Sequence, residues 1–285
     1  MLLSIIVNHY RTPEILKICL KSIKENLLGA SFEWEIIVTD SATIEKTEEM
    51  MEEFFPEIIF IPAKENIGFG KSINIAIKKA TGEYFFIVNA DIIIEQEKAI
   101  EKMLAYIQDN QDVGMVGPKL LNVNNTVQQS CFRFYTPLTV LCRRTSIGKT
   151  FFGRKIIDRF LMKDIFEKME TQSPSQRLSL RDQPIPVDWL MGSAMMVRKS
   201  DLEKVGVFDE SFFMYFEDVD WARRFWENNL KVIYFPKAVM YHYHFQSSKK
   251  KSLFETLLSK YARIHIKSAL KYFSKYKFKK VKYGL

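Results

Sequence analysis

Apolar runs of strand length alternate with helix-patterned stretches through the first 117 residues, and this alternation limits the fold more than any other feature of the chain. The runs fall at 4–8, 35–39, 57–61, 84–88 and 113–116. Between them, apolar residues recur at three- and four-residue steps, first behind Thr12-Pro13-Glu14, then at about 44–55, 73–80 and 97–108. Proline pre-sets the backbone dihedral of a first helical turn, so Pro13 marks a helix start. Strand and helix in strict turn predict an α/β fold with a mainly parallel central sheet and helices on both faces. The run at 84–88 has no polar residue, as a strand buried on both faces requires.

Such sheets bind ligands outside the carboxyl ends of their strands. Three polar groups fall at those ends: Asp40, the loop Asn66-Ile67-Gly68-Phe69-Gly70, and Asn89-Ala90-Asp91. An acid at the end of a buried strand needs a partner, and a divalent cation is one. A glycine turn opening a helix lets a diphosphate or sugar approach the backbone. The loop lacks the third glycine of a dinucleotide fingerprint, which argues against a nicotinamide cofactor.

Beyond 117 the pattern weakens. Residues 130–185 are rich in Arg, Lys and Phe and read as a variable insertion, with an amphipathic helix at 158–169. Regular structure is expected again at 187–197, with a short helix at 199–205 and strands at 232–235 and 239–243. In the stretch Phe212-Phe213-Met214-Tyr215-Phe216-Glu217-Asp218-Val219-Asp220, three carboxylates follow a mostly aromatic run at the start of a helix. Backbone donors and partial burial can hold and tune a carboxylate there, although acids also simply cap first turns. His242 lies on a strand pattern, as a half-buried side chain or as a metal or phosphate contact.

The 285 residues carry a formal net charge of +8, but residues 249–285 hold twelve Lys/Arg against Glu255 alone, a net +11, which leaves 8 − 11 = −3 for the rest. This distribution removes the main support for a nucleic-acid partner. No apolar run reaches the roughly 18–20 residues of a membrane span. The N-terminal apolar residues read as a first strand rather than a leader, and three scattered cysteines suit a reducing compartment, with the cytoplasm as the expected location.

Taken together, these motifs resemble glycosyltransferase family 2, within it the rhamnosyltransferase-like group, over about residues 2–248. The likeness rests on Ser4-Ile5-Ile6-Val7, Thr12-Pro13-Glu14, Asp40, the 66–70 loop with Asn74, and Asn89-Ala90-Asp91. It continues through Trp189, Gly192-Ser193, Val197-Arg198, Gly206, Phe208-Asp209-Glu210, the 212–220 stretch, Pro236 and His242. The resemblance implies a GT-A fold over 1–248, with a nucleotide-sugar half at 1–117 and an acceptor half at 118–248. It implies inverting transfer from a nucleotide-diphosphate sugar, rhamnose being suggested by the group, to a glycan or polyprenyl-linked acceptor in cell-surface polysaccharide synthesis. Asp218 then matches the general base. Asp40, Asn66, Gly68, Phe69, Gly70, Asn74, Asn89 and Asp91 line the donor site; Trp189, Gly192, Ser193 and Glu217 face the acceptor; Asp91 and His242 hold Mn2+ or Mg2+. His9 stands where the family usually has Asn, and Asn89 where other branches have Asp. A nucleotidyltransferase and a non-catalytic glycan-binding scaffold are the rival readings. The nucleotidyltransferase would need a glycine-rich N-terminal signature that residues 4–12 lack.

Residues 252–276 step as a basic amphipathic helix. It suits an anionic membrane surface through 252–280; packing on the domain or in a homodimer is the alternative.

Overall fold

The computed structural model describes residues 2–170, 182–243, 260–279 and 281. The first half follows the expected alternation: β1 (Leu2–His9), α1 (Pro13–Asn26), β2 (Glu33–Ser41), α2 (Glu45–Phe54), β3 (Ile59–Ala63), α3 (Phe69–Lys79) and β4 (Tyr84–Asn89). The short β5 (Ile92–Ile93), α4 (Ala99–Asp109) and β6 (Val113–Leu121) complete it. β3–β2–β1–β4 pair in parallel, with His9 opposite Asp40 and Asn8 opposite Asn89. β1 and β4 are buried on both faces, Ile5, Ile6, Val7, Phe85, Phe86 and Ile87 lying wholly inside, while the edge strand β3 is partly exposed.

The second half joins the same sheet. β7 (Val127–Gln128) and β8 (Cys131–Phe132) precede three helices: α5 (Pro137–Arg144), α6 (Phe151–Phe160) and α7 (Lys163–Glu170). The single helix expected at 158–169 is divided, because Met162 takes φ 56° between α6 and α7. Then come β9 (Ile185–Pro186), β10 (Trp189–Leu190), β11 (Ala194–Arg198), α8 (Leu202–Val205), α9 (Glu217–Glu227), β12 (Lys231–His242) and α10 (Lys260–Lys275). The two strands expected at 232–243 are one, interrupted by a register shift between Phe235 and Val239.

β11 enters antiparallel between β4 and β6, giving the order β3-β2-β1-β4-β11-β6-β12-β5. This inserted strand positions the site. Because it runs backwards, its start lies beside the ends of its parallel neighbours, and the Asn89 amide donates to the Ser193 carbonyl at 2.9 Å.

The part of the basic tail that is described packs on the protein. Ala262, His265, Ser268, Ala269, Tyr272 and Phe273 of α10 are buried, and Phe216 lies in edge or tilted contact with Tyr272 and Phe273. One face of the helix, Phe273 included, is therefore covered by the domain, while Tyr261 and Leu270 of the expected apolar face are exposed; residues 252–259 of that expectation lie outside the described residues. Among the described residues no helix is long and apolar enough to cross a membrane.

Candidate active site

At the β1–β2 end, His9 and Asp40 are both buried. The Thr12 amide donates to His9 Nε2 at 2.8 Å, so Nδ1 carries the proton and donates to Asp40 Oδ1 at 2.8 Å. Asp40 Oδ2 is buried and accepts no hydrogen bond. A buried carboxylate oxygen left open calls for a donor from outside the chain. The sequence departure at His9 thus has a structural purpose, orienting the acid beside it.

At the β4 end, β5 pairs with β12, His242 opposite Ile92, and this pairing brings Asp91 to His242. Gln128 Oε1 lies 2.8 Å from His242 Nδ1, so Nδ1 is the donor and Nε2 faces Asp91 Oδ1 at 3.3 Å. That contact is within ion-pair distance, yet Asp91 Oδ1 accepts no hydrogen bond of normal geometry, and the buried Asn89 Oδ1 is also unpartnered. Two unpartnered oxygens, of Asn89 and Asp91, beside the His242 imidazole are a donor set that fits a hard divalent cation. Among the described residues no group of three or more His, Cys, Asp or Glu forms a cage. Such a cation would take its remaining ligands from diphosphate and water.

The third element is Asp218, in the first turn of α9. Its Oδ1 accepts from the Val219 amide at 2.9 Å and its Oδ2 from the Gly192 amide at 3.1 Å, while no cation pairs with it among the described residues. Burial raises its pKa above the usual aspartate value against those two amides. Glu217 is buried beside it with Oε2 unpartnered; burial, then the Asp218 charge, push its pKa up as well. The residues before them are held in an unusual backbone, with Tyr215 at φ 66° and Phe216 at φ 69°. A left-handed conformation at an aromatic residue is uncommon and tends to persist where surroundings enforce it, often at functional sites.

The aromatic run is only in part the dry wall that its composition suggests. Phe212 and Phe216 are buried, whereas Phe213 is 40% and Tyr215 36% exposed. The 66–70 loop docks on this segment. A Cβ on Gly68, whose φ is +88°, would lie 2.5 Å from the Phe213 carbonyl oxygen. The Phe69 amide donates to that same oxygen, and the Gly68 amide to Asn66 Oδ1. Gly192 lies between the same elements, a Cβ there making ordinary contacts 3.4 Å from the Phe69 ring and 3.6 Å from Asp218 Cβ. Gly192-Ser193 thus bridges the three elements: its first amide reaches Asp218, its last carbonyl reaches Asn89, and the buried Ser193 Oγ is open.

Two residues expected to touch ligand are engaged by the protein. Asn74 donates to the Phe208 carbonyl and to Glu210 and accepts from the Phe208 amide, a strut beneath the loop. Trp189 stacks on Phe132 with centroids 4.5 Å apart and donates to the Arg133 carbonyl. Both are buried, so neither offers a free polar group or ring face. Sequence reasoning missed Gln128, which fixes the His242 tautomer from a two-residue strand with no motif of its own, and the orienting part played by His9.

Comparison with known proteins identifies the family. The glycosyl transferase family 2 model matches residues 4–224, well over half of the chain. An N-acetylglucosaminyl-diphospho-decaprenol L-rhamnosyltransferase of Mycobacterium tuberculosis is 23% identical over 224 residues, 75% of this chain and 67% of that protein. Rhamnosyltransferase WbbL of Escherichia coli is 26% identical over 220 residues, 73% and 70% of the two chains. A mannosyltransferase from Pyrobaculum calidifontis, solved with GDP-Man and Mn2+, superposes with a TM-score of 0.58 at 16% identity, covering 99% of this chain and 65% of that one. With that GT-A architecture and a match that spans the strand-end acids and the first turns of α9, the chain belongs to glycosyl transferase family 2.

Proposed function

We propose that the protein transfers a hexose with inversion from a nucleotide-diphosphate sugar to a hydroxyl of a lipid-linked or glycan acceptor, with Asp218 as general base. The observation that carries this reading is the setting of Asp218: a carboxylate of raised pKa, fixed by two amides, unpaired with any described cation, and joined through Gly192-Ser193 to the Asn89–Asp91 end.

Inverting transfer is a single displacement and needs one base. Asp218 takes the proton from the acceptor hydroxyl as its oxygen attacks the anomeric carbon, while the bond to the diphosphate breaks on the opposite side. The Gly192 and Val219 amides keep both carboxylate oxygens in place throughout. Glu217, holding its proton in the neutral range, supplies a hydrogen-bond donor to the acceptor. Asp40 Oδ2, oriented by His9, accepts from the nucleobase, and Asn66, Gly68, Phe69 and Gly70 border the donor. Asp91 and His242, with Asn89 beside them, would hold Mn2+ or Mg2+, which when bound stabilises charge on the leaving diphosphate. The names of the two bacterial relatives favour rhamnose as the sugar, and that of the mycobacterial one a polyprenyl diphosphate acceptor.

The test is a panel of nucleotide sugars scored by nucleoside diphosphate release with Mn2+ or Mg2+, followed by assignment of the product's anomeric configuration by NMR. Release with an inverted product is expected. A retained configuration, or no turnover of any donor, overturns the reading.

A further inference from the structure

Residues 137–155 contain five basic residues, Arg143, Arg144, Lys149, Arg154 and Lys155, and no acid. They fold as α5, a 3-10 turn (Ser146–Lys149) and the start of α6. Thr139, Cys142 and Gly153 face inward. The turn is tightly closed, since a Cβ on Gly148 would collide with the Cys142 carbonyl and one on Gly153 with that of Ile147. Both helices also have N-caps, Thr136 accepting from the Thr139 amide and Thr150 from that of Gly153. The hairpin is thus a rigid element, and it still leaves large apolar side chains in solvent. Phe151 is 77% and Phe152 63% exposed, and Leu138, Leu141 and Ile147 are exposed beside them. Lys155 Nζ lies 4.5 Å over the Phe151 ring, so aromatic and cation alternate on one surface.

We infer that this face of α5 and α6 docks the protein on an anionic phospholipid surface. The charge is complementary, and exposed Phe and Leu interleaved with Lys and Arg is the composition of interfacial helices that lie in the headgroup plane. The Arg143 guanidinium turns inward over the Tyr135 and Phe160 rings, whereas Lys149, Arg154 and Lys155 are exposed and pair with no carboxylate among the described residues, so these three cations remain for phosphate. The location is also apt. Arg143 donates to the Tyr135 hydroxyl, and the Tyr135 ring lies 4.7 Å from that of Phe216, the residue before Glu217. A docked leaflet would lie one aromatic layer from the proposed base. That last consequence, delivery of a lipid-linked acceptor to Asp218, rests on the proposed function; the docking itself does not.

The experiment is co-sedimentation of the full chain with vesicles of phosphatidylglycerol and phosphatidylcholine in equal parts, and with phosphatidylcholine alone. Binding to the anionic vesicles that weakens with salt is expected. The double variant Phe151→Ser/Phe152→Ser should bind roughly tenfold more weakly or worse, with unchanged melting temperature and unchanged nucleotide-sugar hydrolysis. Arg263→Glu/Lys267→Glu on the outer face of α10 should bind as wild type. The inference is overturned if wild type ignores anionic vesicles or the Phe pair does not matter. It is overturned as well if the α10 variant alone abolishes binding. A fall in melting temperature for the Phe variant would mean that the chain itself covers this face, and a change in oligomeric state that a second copy does; either outcome also overturns it. Failure of the glycosyl-transfer reading would appear in hydrolysis and leave vesicle binding untouched.

Discussion

Asp218 and Asp220 lie two residues apart at the start of one helix, yet they occupy opposite chemical situations. Asp220 is fully buried and saturated: Lys275 Nζ at 2.6 Å, Arg224 Nε at 2.9 Å and the Tyr276 hydroxyl at 2.8 Å surround it. Asp218 is half-buried, with two backbone amides and, among the described residues, no cation. The first acid anchors α10 to the segment that carries the second. α10 reinforces that anchor through Ser268 to the Met214 carbonyl, Lys271 to the Ser211 carbonyl and Lys275 to Asp209. An acid enclosed by cations is held as structure, whereas an acid desolvated without one keeps its proton affinity available for chemistry.

Four substitutions or titrations would break or sharpen this contrast. Asp218→Asn should lower kcat/KM for transfer about a thousandfold, within the range of a lost general base, while donor binding and melting temperature stay near wild type; equal loss of stability would erase the distinction. Asp220→Ala should do the reverse, costing about 3 kcal/mol of stability in chemical denaturation, as expected when one member of a buried ion cluster is removed. The activity of the fraction that remains folded should persist.

Glu217→Gln should stabilise the protein at neutral pH by about 1–2 kcal/mol. The sign follows from the raised folded-state pKa of Glu217. A carboxyl so shifted contributes stability below its unfolded pKa and loses it as pH rises through the folded one. Variant and wild type should therefore converge in denaturation midpoint on acidification below about pH 4. The smallest effect concerns the pH–rate profile. Its acid limb should lie above the usual aspartate range, because Asp218 must be ionised to act and burial raises its pKa. In Glu217→Gln that limb should move by less than about one pH unit, since a neutral neighbour replaces one already largely protonated.

Much of the donor side was legible without coordinates. The strands β1 to β4 and the acids at their ends follow from apolar runs of strand length, a local property. The loop 66–70, Asp91 and Asp218 could be placed near a site because they occur at element ends. The acceptor side was less legible. Tyr215 and Phe216 carry no turn residue to announce their positive φ. Trp189 and Asn74 have the chemistry of ligand contacts, and only their packing shows them occupied by Phe132, Phe208 and Glu210. The spacing of the tail gave a helix, described over Lys260–Lys275, and left open whether it meets a membrane or the domain, because periodicity gives the apolar side of a helix but not what covers it.

Sequence by itself determined the α/β alternation, the carboxylates at the rim and the helix that follows Phe216, all of them governed by interactions within a few residues. Tertiary structure alone decided that β11 would enter antiparallel and carry Gly192 to Asp218, and that His9 and Gln128 would orient Asp40 and His242. It alone decided that Asp220 rather than Asp218 would receive Lys275, 55 residues further on. The physical reason is that an acid's proton affinity depends on which charges and dipoles surround it, and here those arrive from strands and helices far along the chain.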